Sequence, residues 1–338
     1  MKLYGAIDLH SNNNVIVIID ERDQVVYHRR VRNDLSVILP QLAPYRGDLE
    51  GIAVESTFNW YWLVDGLMDA GYKVHLVNTN AVQTYDGLKF TDDQDDARHL
   101  AHLPRLGILP EGYIYPKAER SVRDLLRKRA QLVRQRTVQI LSVKNLAQRN
   151  VGCVLSRGSV EELRDEQIQA LCGDDHRVLA MKSSLAVIRC LDGQILSLEK
   201  AVFSQVKLRP EFQQLLTVDG IGRILALTIM LETGDIRRFP TVGDYASYCR
   251  CVNSRKLSNF KKKGQGNRKN GNKYLAWAYI EAAEYARRYS DRVRRFLERK
   301  KAQTMGVIAR KATAHKLARA CYYVMRDQVP FQVERAFA

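Results

Sequence analysis

Within the first 77 residues the hydrophobic period switches between two and 3.6 in a fixed order, and that order limits the folds open to the chain. Residues 3–8 (LYGAID) and 14–20 (NVIVIID) are short, apolar and β-branched, bounded by the polar turns HSNNN and ERDQ. They predict the two strands of a hairpin. Residues 25–31 (VVYHRRV) alternate and predict a third strand. Residues 34–43 read as a helix capped by Asn33 or Asp34, and 50–55 (EGIAVE) as a fourth strand. Residues 59–71 form an amphipathic pattern with Gly71 just past its end, and 72–77 (YKVHLV) read as a fifth strand. A three-stranded meander followed by helix, strand, helix, strand predicts an α/β layer fold.

From Lys117 the pattern becomes helical. Residues 117–149 contain neither Pro nor Gly, and Val122, Leu125, Leu126, Leu132, Val133, Ile140, Leu141 and Val143 make a partial apolar stripe. After a break at Gly152 and Gly158, residues 159–171 and 175–207 read as helical again. Two long helices separated by a turn predict either an antiparallel hairpin or an intermolecular coiled coil. Residues 215–234 contain Val218-Asp219-Gly220-Ile221-Gly222 between two helical runs, which resembles a helix-hairpin-helix turn. Such a turn offers backbone N–H groups to a phosphate, although it also serves as a plain interhelical connection. Residues 253–275 are basic and rich in Gly and Asn, and read as a loop that orders on a polyanion. Helical runs follow at 272–300 and 307–327. The length of 338 residues fits two or three domains.

Charge is the first functional signal. The chain carries 54 Lys+Arg against 37 Asp+Glu, a net charge of +17, which favours an anionic partner. The excess is local. Residues 117–149 hold ten Lys/Arg against Glu119 and Asp124, and 254–273 hold eight with no acid. No signal peptide or membrane span is expected. The six cysteines form no C-x-x-C and have no histidine at zinc-finger spacing, so a reduced cytosolic protein with structural thiols is expected.

Against this basic background, TDDQDDARHL (91–100) gathers four carboxylates into five positions. Like charges this close need water or a cation to stabilise them. Asp8 closes the first strand and Glu55 the fourth. In an RNase H-like sheet these strands are neighbours, so both acids would emerge at one edge. Asp93 and Asp96 are three apart at a helix start and share a face. Singly, each is an ordinary turn or cap residue. Jointly, Asp8, Glu55, Asp93 and Asp96 make a set of hard oxygen ligands suited to Mg²⁺, with Mn²⁺ as a substitute. Two such ions stabilise the attacking and leaving oxygens of a phosphoryl displacement. Asp92 and Asp95 are expected to point elsewhere as helix N-terminal charges.

A second candidate centre is Ser258, in RKLSNFKKKGQG. A hydroxyl nucleophile needs its developing charge stabilised, and Arg255, Lys256, Lys261, Lys262 and Lys263 surround it in sequence. Ser247 and Ser254 are nearby competitors, and a serine in a basic loop is ordinarily solvated. The wider set of expected nucleic-acid contacts adds Arg268, Lys269 and Lys273 from this stretch, and Arg123, Arg127, Lys128 and Arg134 from the long helix.

GAIDLHSNN, VESTFNWYWLVDGL, KFTDDQDDARHLAHL, LLTVDGIG and SNFKKKGQGNRKNGNKYLAWA, in this order and spacing, resemble the DEDD transposases of bacterial insertion sequences, the family that includes the Piv invertase. The resemblance covers nearly the whole chain. It implies an RNase H/RuvC-like domain over 1–115, a helical coiled-coil linker over 116–209 and a mostly helical transposase domain over 210–338. Asp8, Glu55, Asp93 and Asp96 match the family's acidic tetrad, and Ser258 its nucleophilic serine. The implied chemistry is attack of Ser258 on a DNA phosphodiester, a phosphoserine link, and reversal by a 3′-hydroxyl on another strand. The family further implies double-stranded DNA at element ends and target, a non-coding guide RNA, and a homo-oligomer that is tetrameric on DNA. It places the protein in the bacterial cytoplasm, at the nucleoid. One departure stands out. Many members have a glycine-containing stretch soon after the serine, where this chain has Asn259-Phe260, so the local backbone is expected to differ.

The alternative is a RuvC-like structure-specific nuclease of the Holliday-junction resolvase type, with water as nucleophile. It needs neither Ser258 nor the C-terminal domain. An actin-like sugar kinase wants glycine after the first-strand Asp, where this chain has Leu9-His10-Ser11. A non-catalytic binding protein leaves the four carboxylates without a role.

Overall fold

A computed structural model describes residues 1–82, 93–206, 209–253, 256–264 and 270–338. The chain divides into two compact units, Met1–Lys117 and Ala118–Ala338.

The first unit is built on the expected strand order. β1 (Leu3–Leu9), β2 (Asn13–Asp20) and β3 (Val25–Arg32) form the meander. α1 (Leu35–Leu42), β4 (Leu49–Glu55), α2 (Tyr61–Asp69) and β5 (Val74–Val77) follow. α3 (Asp93–Arg105) completes the unit. The sheet order is β3-β2-β1-β4-β5, with β1–β4 and β4–β5 parallel, the RNase H-like arrangement. Asp34 caps α1, accepting from the Ser36 N–H at 2.9 Å.

Side-chain alternation splits the strands between two layers. Ile7, Leu9, Ile16, Ile18, Ile52 and Val54 pack with Ile38 and Leu42 of α1 and Leu63, Val64 and Leu67 of α2. Ala6, Val15, Val17, Ile19 and Ala53 pack with Ala97, Leu100 and Ala101 of α3. Small residues at 6, 53, 97 and 101 bring α3 close to the sheet. β3 is the edge strand, and its charged Arg29, Arg30 and Arg32 discourage further strand pairing.

In the second unit, α4 (Lys117–Val151) and α7 (Asp175–Gln205) are joined by two short helices, α5 (Arg157–Glu161) and α6 (Asp165–Cys172). The long helices run antiparallel within the chain. Arg129 bonds Glu199 at 2.6 Å and Arg136 pairs with Asp192. Ile140, Val143 and Ala147 of α4 share a core with Met181, Leu185 and Ile188 of α7 and with Val160, Ile168 and Cys172 of the short helices. Of the stripe read from the sequence, Ile140 and Val143 are buried in this hairpin, Val122 and Leu126 in a separate core of the same unit, and Leu141 is exposed.

Further helices follow: α8 (Pro210–Leu215), α9 (Arg223–Thr233) and α10 (Val242–Tyr248). Between α8 and α9, Gly220 takes φ +84°, and a Cβ there would lie 2.4 Å from the Ala286 backbone N. Only glycine lets this turn approach the later helix that carries Ala282 and Ala286 so closely. The stretch 253–275, expected to be a loop, instead contains a β-hairpin of β6 (Lys256–Ser258) and β7 (Lys261–Gly264), and its end opens α11 (Lys273–Tyr289). The expected single helix over 272–300 is broken at Ser290, whose extended backbone (φ −127°, ψ 117°) separates α11 from α12 (Asp291–Lys301). α13 (Gly306–Asp327) and α14 (Val333–Ala336) end the chain. The core of this bundle is lined by Leu227, Met230, Tyr245, Tyr279, Leu317 and Tyr322. Among the described residues no helix is long and apolar enough to cross a membrane.

Candidate active site

The register of the sheet assembles the acidic cluster. β1 and β4 are parallel with Ile7 opposite Val54, so Asp8 and Glu55 are the next residues on neighbouring strands. Alternation places Asp8 with Ala6 and Glu55 with Ala53, on the side covered by α3. α3 begins at Asp93, and Asp96 follows one turn later. Asp8 is buried, Glu55 and Asp93 are partly exposed, and Asp96 is exposed. Asp95, in the same first turn, is also exposed. Asp92 lies outside the described residues.

The carboxyls sense one another. Burial pushes Glu55 up to about 8, helped by a hydrogen bond with Asp8 and by the charges of Asp8 and Asp96. Burial and the charges of Asp8, Asp93 and Asp95 also raise Asp96. Asp93 is held below the usual carboxylate range, chiefly by a hydrogen bond from Arg30. One helix turn therefore carries two carboxyls shifted in opposite directions, because one faces the other acids and the other faces a guanidinium.

Two residues of this cluster were not singled out from the sequence. His10 sits in the β1–β2 turn, with its carbonyl held by Asn33 Nδ2 at 3.0 Å and Asn59 Nδ2 at 3.1 Å. Its Nε2 lies 3.5 Å from Asp8 Oδ2 and 3.3 Å from Asp93 Oδ2. That nitrogen is buried and makes no hydrogen bond. One ligand atom each from Asp8, His10 and Asp93 falls within 4.8 Å of the others. Arg30 reaches the site because β3 pairs it with Val15, which pairs in turn with Asp8. The Asp-x-His spacing and this cross-strand row were the available signals.

This donor set fits a divalent ion. The carboxylates offer hard oxygen, and His10 turns an orphaned nitrogen toward two of them. Proximity to Arg30 keeps the Asp93 carboxyl ionised, and a cation held there would have to displace or share the guanidinium's bond to it.

The basic candidates separate on inspection. Arg123, together with its neighbour Arg120, is buried, and Arg127 gives a bidentate bond to buried Glu232 at 2.6 and 2.8 Å. Of the nucleic-acid contacts expected on the long helix, Arg123 is thus buried and Arg127 is held by an acid inside the second unit. Lys128 and Arg134 are exposed, as are Lys261, Lys263 and Lys273. Ser258 ends β6, opposite Lys261 across the hairpin. For Ser258, Lys256 and Lys262 the backbone alone is described. Arg255, Lys269 and Arg268 lie outside the described residues.

Asn272 anchors the far end of this basic segment. Its Oδ1 caps α11, accepting from Tyr274 N at 2.8 Å and Leu275 N at 3.1 Å, and its Nδ2 donates to Glu232 at 2.7 Å. Gly271 before it takes φ +88°, and a Cβ would lie 2.4 Å from the Tyr248 carbonyl oxygen.

An RNase H-like sheet with clustered strand-end and helix-start acids, followed by a helical unit with a basic hairpin, defines a DEDD-type transposase architecture. Comparison with known proteins agrees over both parts. A transposase family model of the DEDD IS110 type matches residues 6–149, and one described as transposase IS116/IS110/IS902 family matches residues 212–298. The transposase for insertion sequence element IS1111A of Coxiella burnetii is 22% identical over 92% of this chain and 83% of its own length. A probable family 20 transposase of Pseudomonas aeruginosa is 24% identical over 73% of this chain and 75% of its own. The chain belongs to the IS110/IS116/IS902 family of transposases. Transposition acts on DNA, so the anionic partner called for by the charge is, at least, DNA.

Proposed function

We propose that this transposase cuts and rejoins the DNA of its insertion sequence through a phosphoserine intermediate at Ser258, with the tetrad Asp8, Glu55, Asp93 and Asp96 as the metal-binding half of the centre. The observation that carries the reading is the assembly of strand-end and helix-start carboxyls around Asp8, in a chain that also presents a serine at the end of a basic hairpin strand. His10 joins the tetrad as a nitrogen donor. When bound, Mg²⁺ or Mn²⁺ supplies charge stabilisation to the oxygens that gain and lose the phosphorus bond.

In the proposed step the Ser258 hydroxyl gives up its proton and its oxygen bonds phosphorus. The P–O3′ bond breaks, and the 3′-oxygen leaves and takes a proton. A second 3′-hydroxyl then attacks the phosphoserine and releases Ser258, so the bond is conserved without an external energy source. Hydrolysis by water would lose it, which favours serine over the resolvase-like alternative. Lys261 and Lys263, exposed on β7, would hold the flanking phosphates. Lys128, Arg134 and Lys273 extend the charged surface available to DNA or to a guide RNA.

The proposed organisation keeps three parts, a tetrad domain over 1–115, a helical linker over 116–209 and a serine domain over 210–338. The separate core between α4 and α7 supports a distinct linker. Homo-oligomers, tetrameric on DNA, would bring the serine of one copy to the tetrad of another, in the bacterial cytoplasm. The test is a plasmid excision assay with Ser258→Ala and Asp8→Asn. Both should abolish recombination while leaving DNA binding within about twofold of wild type, because neither substitution removes a phosphate-binding cation. Recombination by Ser258→Ala at the normal rate would return the water-nucleophile reading.

A further inference from the structure

The tip of the serine hairpin breaks two ordinary rules at one residue. Ser258 pairs with Lys261, so Asn259 and Phe260 alone make the turn. Both take left-handed backbone, with φ +49° and +59°. A two-residue turn of this kind is the type I′ connection that suits the twist of a hairpin. Asparagine tolerates the first position. The second is ordinarily glycine, because a Cβ there crowds the backbone. This chain places phenylalanine in it. The ring gains nothing from the fold in return, since Phe260 is 100% exposed. Burial is the usual stabilisation a phenylalanine brings, and here there is none.

An unfavourable backbone position occupied by an unburied aromatic ring points to a use outside the fold. The surroundings indicate which use. Lys261 and Lys263 are exposed on the next strand, so the ring projects from a cationic ribbon. Ser258 lies two residues before it. A hairpin whose cations hold DNA phosphates carries its tip residue to the bases beside those phosphates. Aromatic rings on such ribbons stack on bases that have left the helical stack, or wedge between base steps.

We propose that the Asn259–Phe260 turn holds Phe260 outward to stack on an unpaired or unstacked DNA base next to the phosphate that Ser258 attacks. Opening the stack there would expose the phosphate and loosen the strand that must be exchanged. This rests on the hairpin meeting DNA as proposed above, but it is read from binding alone, whereas the phosphoserine step is read from recombination and adducts.

The test uses the full-length chain with a fluorescein-labelled mixed-sequence DNA single strand and the matching blunt duplex, measured by anisotropy. The variants are Phe260→Ala, Phe260→Gly and Phe260→Tyr. Glycine is the favoured turn residue, so Phe260→Gly keeps the hairpin and removes only the ring. Stacking on one base corresponds to about 5- to 150-fold in affinity. Phe260→Ala and Phe260→Gly should therefore weaken single-strand binding by at least about fivefold, with Phe260→Tyr retaining it. Duplex affinity, set by phosphate contacts, should stay within about twofold in all three. A strand carrying 2-aminopurine should change fluorescence on binding wild type and Phe260→Tyr, and not the other two. Single-strand affinity of Phe260→Gly equal to wild type would overturn the proposal. So would equal losses on strand and duplex, which would assign Phe260 to hairpin shape. A changed oligomer mass with unchanged strand affinity would place the ring against a second copy instead. A loss confined to the matching RNA strand would move the occupant to RNA and overturn the DNA assignment.

Discussion

Replacing Glu232 by alanine removes the acceptor at the centre of the second unit's buried polar network. Glu232 is 3% exposed and accepts from Arg127 Nε at 2.6 Å, Arg127 Nη2 at 2.8 Å and Asn272 Nδ2 at 2.7 Å. Breaking a fully buried pair by removing one partner costs about 3–5 kcal/mol, because the other charge is left uncompensated. The Arg127 side chain is 30% exposed and its guanidinium lies 4.7 Å from the Tyr274 ring centroid, so water and the ring offset part of that loss. The lower end, about 3 kcal/mol, applies. Asn272 also loses the bond that fixes its orientation as the cap of α11, which adds up to about 1 kcal/mol. For a unit of this size each kcal/mol lowers the midpoint by about 2–4 °C, so Glu232→Ala should melt about 6–16 °C below wild type. Thermal unfolding followed by circular dichroism measures this. The double variant Arg127→Met/Glu232→Leu should recover much of the loss, since it leaves no unpaired charge in the interior. A Glu232→Ala midpoint within about 2 °C of wild type would refute the network. It would also return Arg127 to the nucleic-acid contacts expected from the sequence.

Further outcomes follow from the acidic cluster and the charged surfaces. Glu55, pushed up to about 8, holds its proton at neutral pH in the metal-free protein. A cation must displace that proton, so Mn²⁺ affinity measured by calorimetry should rise with pH up to about 8 and then level off. The same shift means the folded state binds the proton better than the unfolded chain does. Metal-free stability should fall as pH rises from the ordinary carboxylate range toward 8, and Glu55→Gln should remove that fall. His10→Ala should weaken Mn²⁺ more than Mg²⁺ in the same calorimetric titration, because imidazole suits the transition metal and Mg²⁺ prefers oxygen. Equal losses for both ions would remove His10 from the ligand set. In salt titrations of duplex binding, Lys261→Ala should reduce the log–log slope by about 0.9 if it neutralises one phosphate. Arg127→Met combined with Glu232→Leu should leave that slope unchanged.

The parts of this molecule that were legible in the sequence share one property: a local period sufficed to define them. The strand ends at Asp8 and Glu55, the helix start at Asp93 and the long stripe of α4 are all of this kind. That Ile140 and Val143 pack on α7, with Arg129 and Arg136 pairing with Glu199 and Asp192 across the hairpin, involves residues too far along the chain for a local period to show. Arg123 and Arg127 looked like surface because a charge count ignores helix phase, and Arg127 finds its partner 105 residues away. The β6–β7 hairpin was hidden because its turn is Asn-Phe, without the glycine that ordinarily marks such a connection. The break at Ser290 carries neither Pro nor Gly, and the helix expected over 272–300 ran through its one sequence signal, a serine followed by Asp291 as at a helix start. His10 and Arg30 enter the site through the β1–β2 turn and the row Asp8–Val15–Arg30, which require the sheet register to be known.

The most direct test of the central claim is to trap and map the protein–DNA bond. Full-length protein is incubated with element-end DNA and Mg²⁺ or Mn²⁺, quenched in denaturant, digested, and examined by mass spectrometry. The account requires a denaturation-resistant adduct carrying a 5′-phosphoryl nucleotide on the peptide containing Ser258. The adduct should be absent in Ser258→Ala and in Asp8→Asn. Strand breaks appearing with no adduct, or an adduct on another residue, would contradict it.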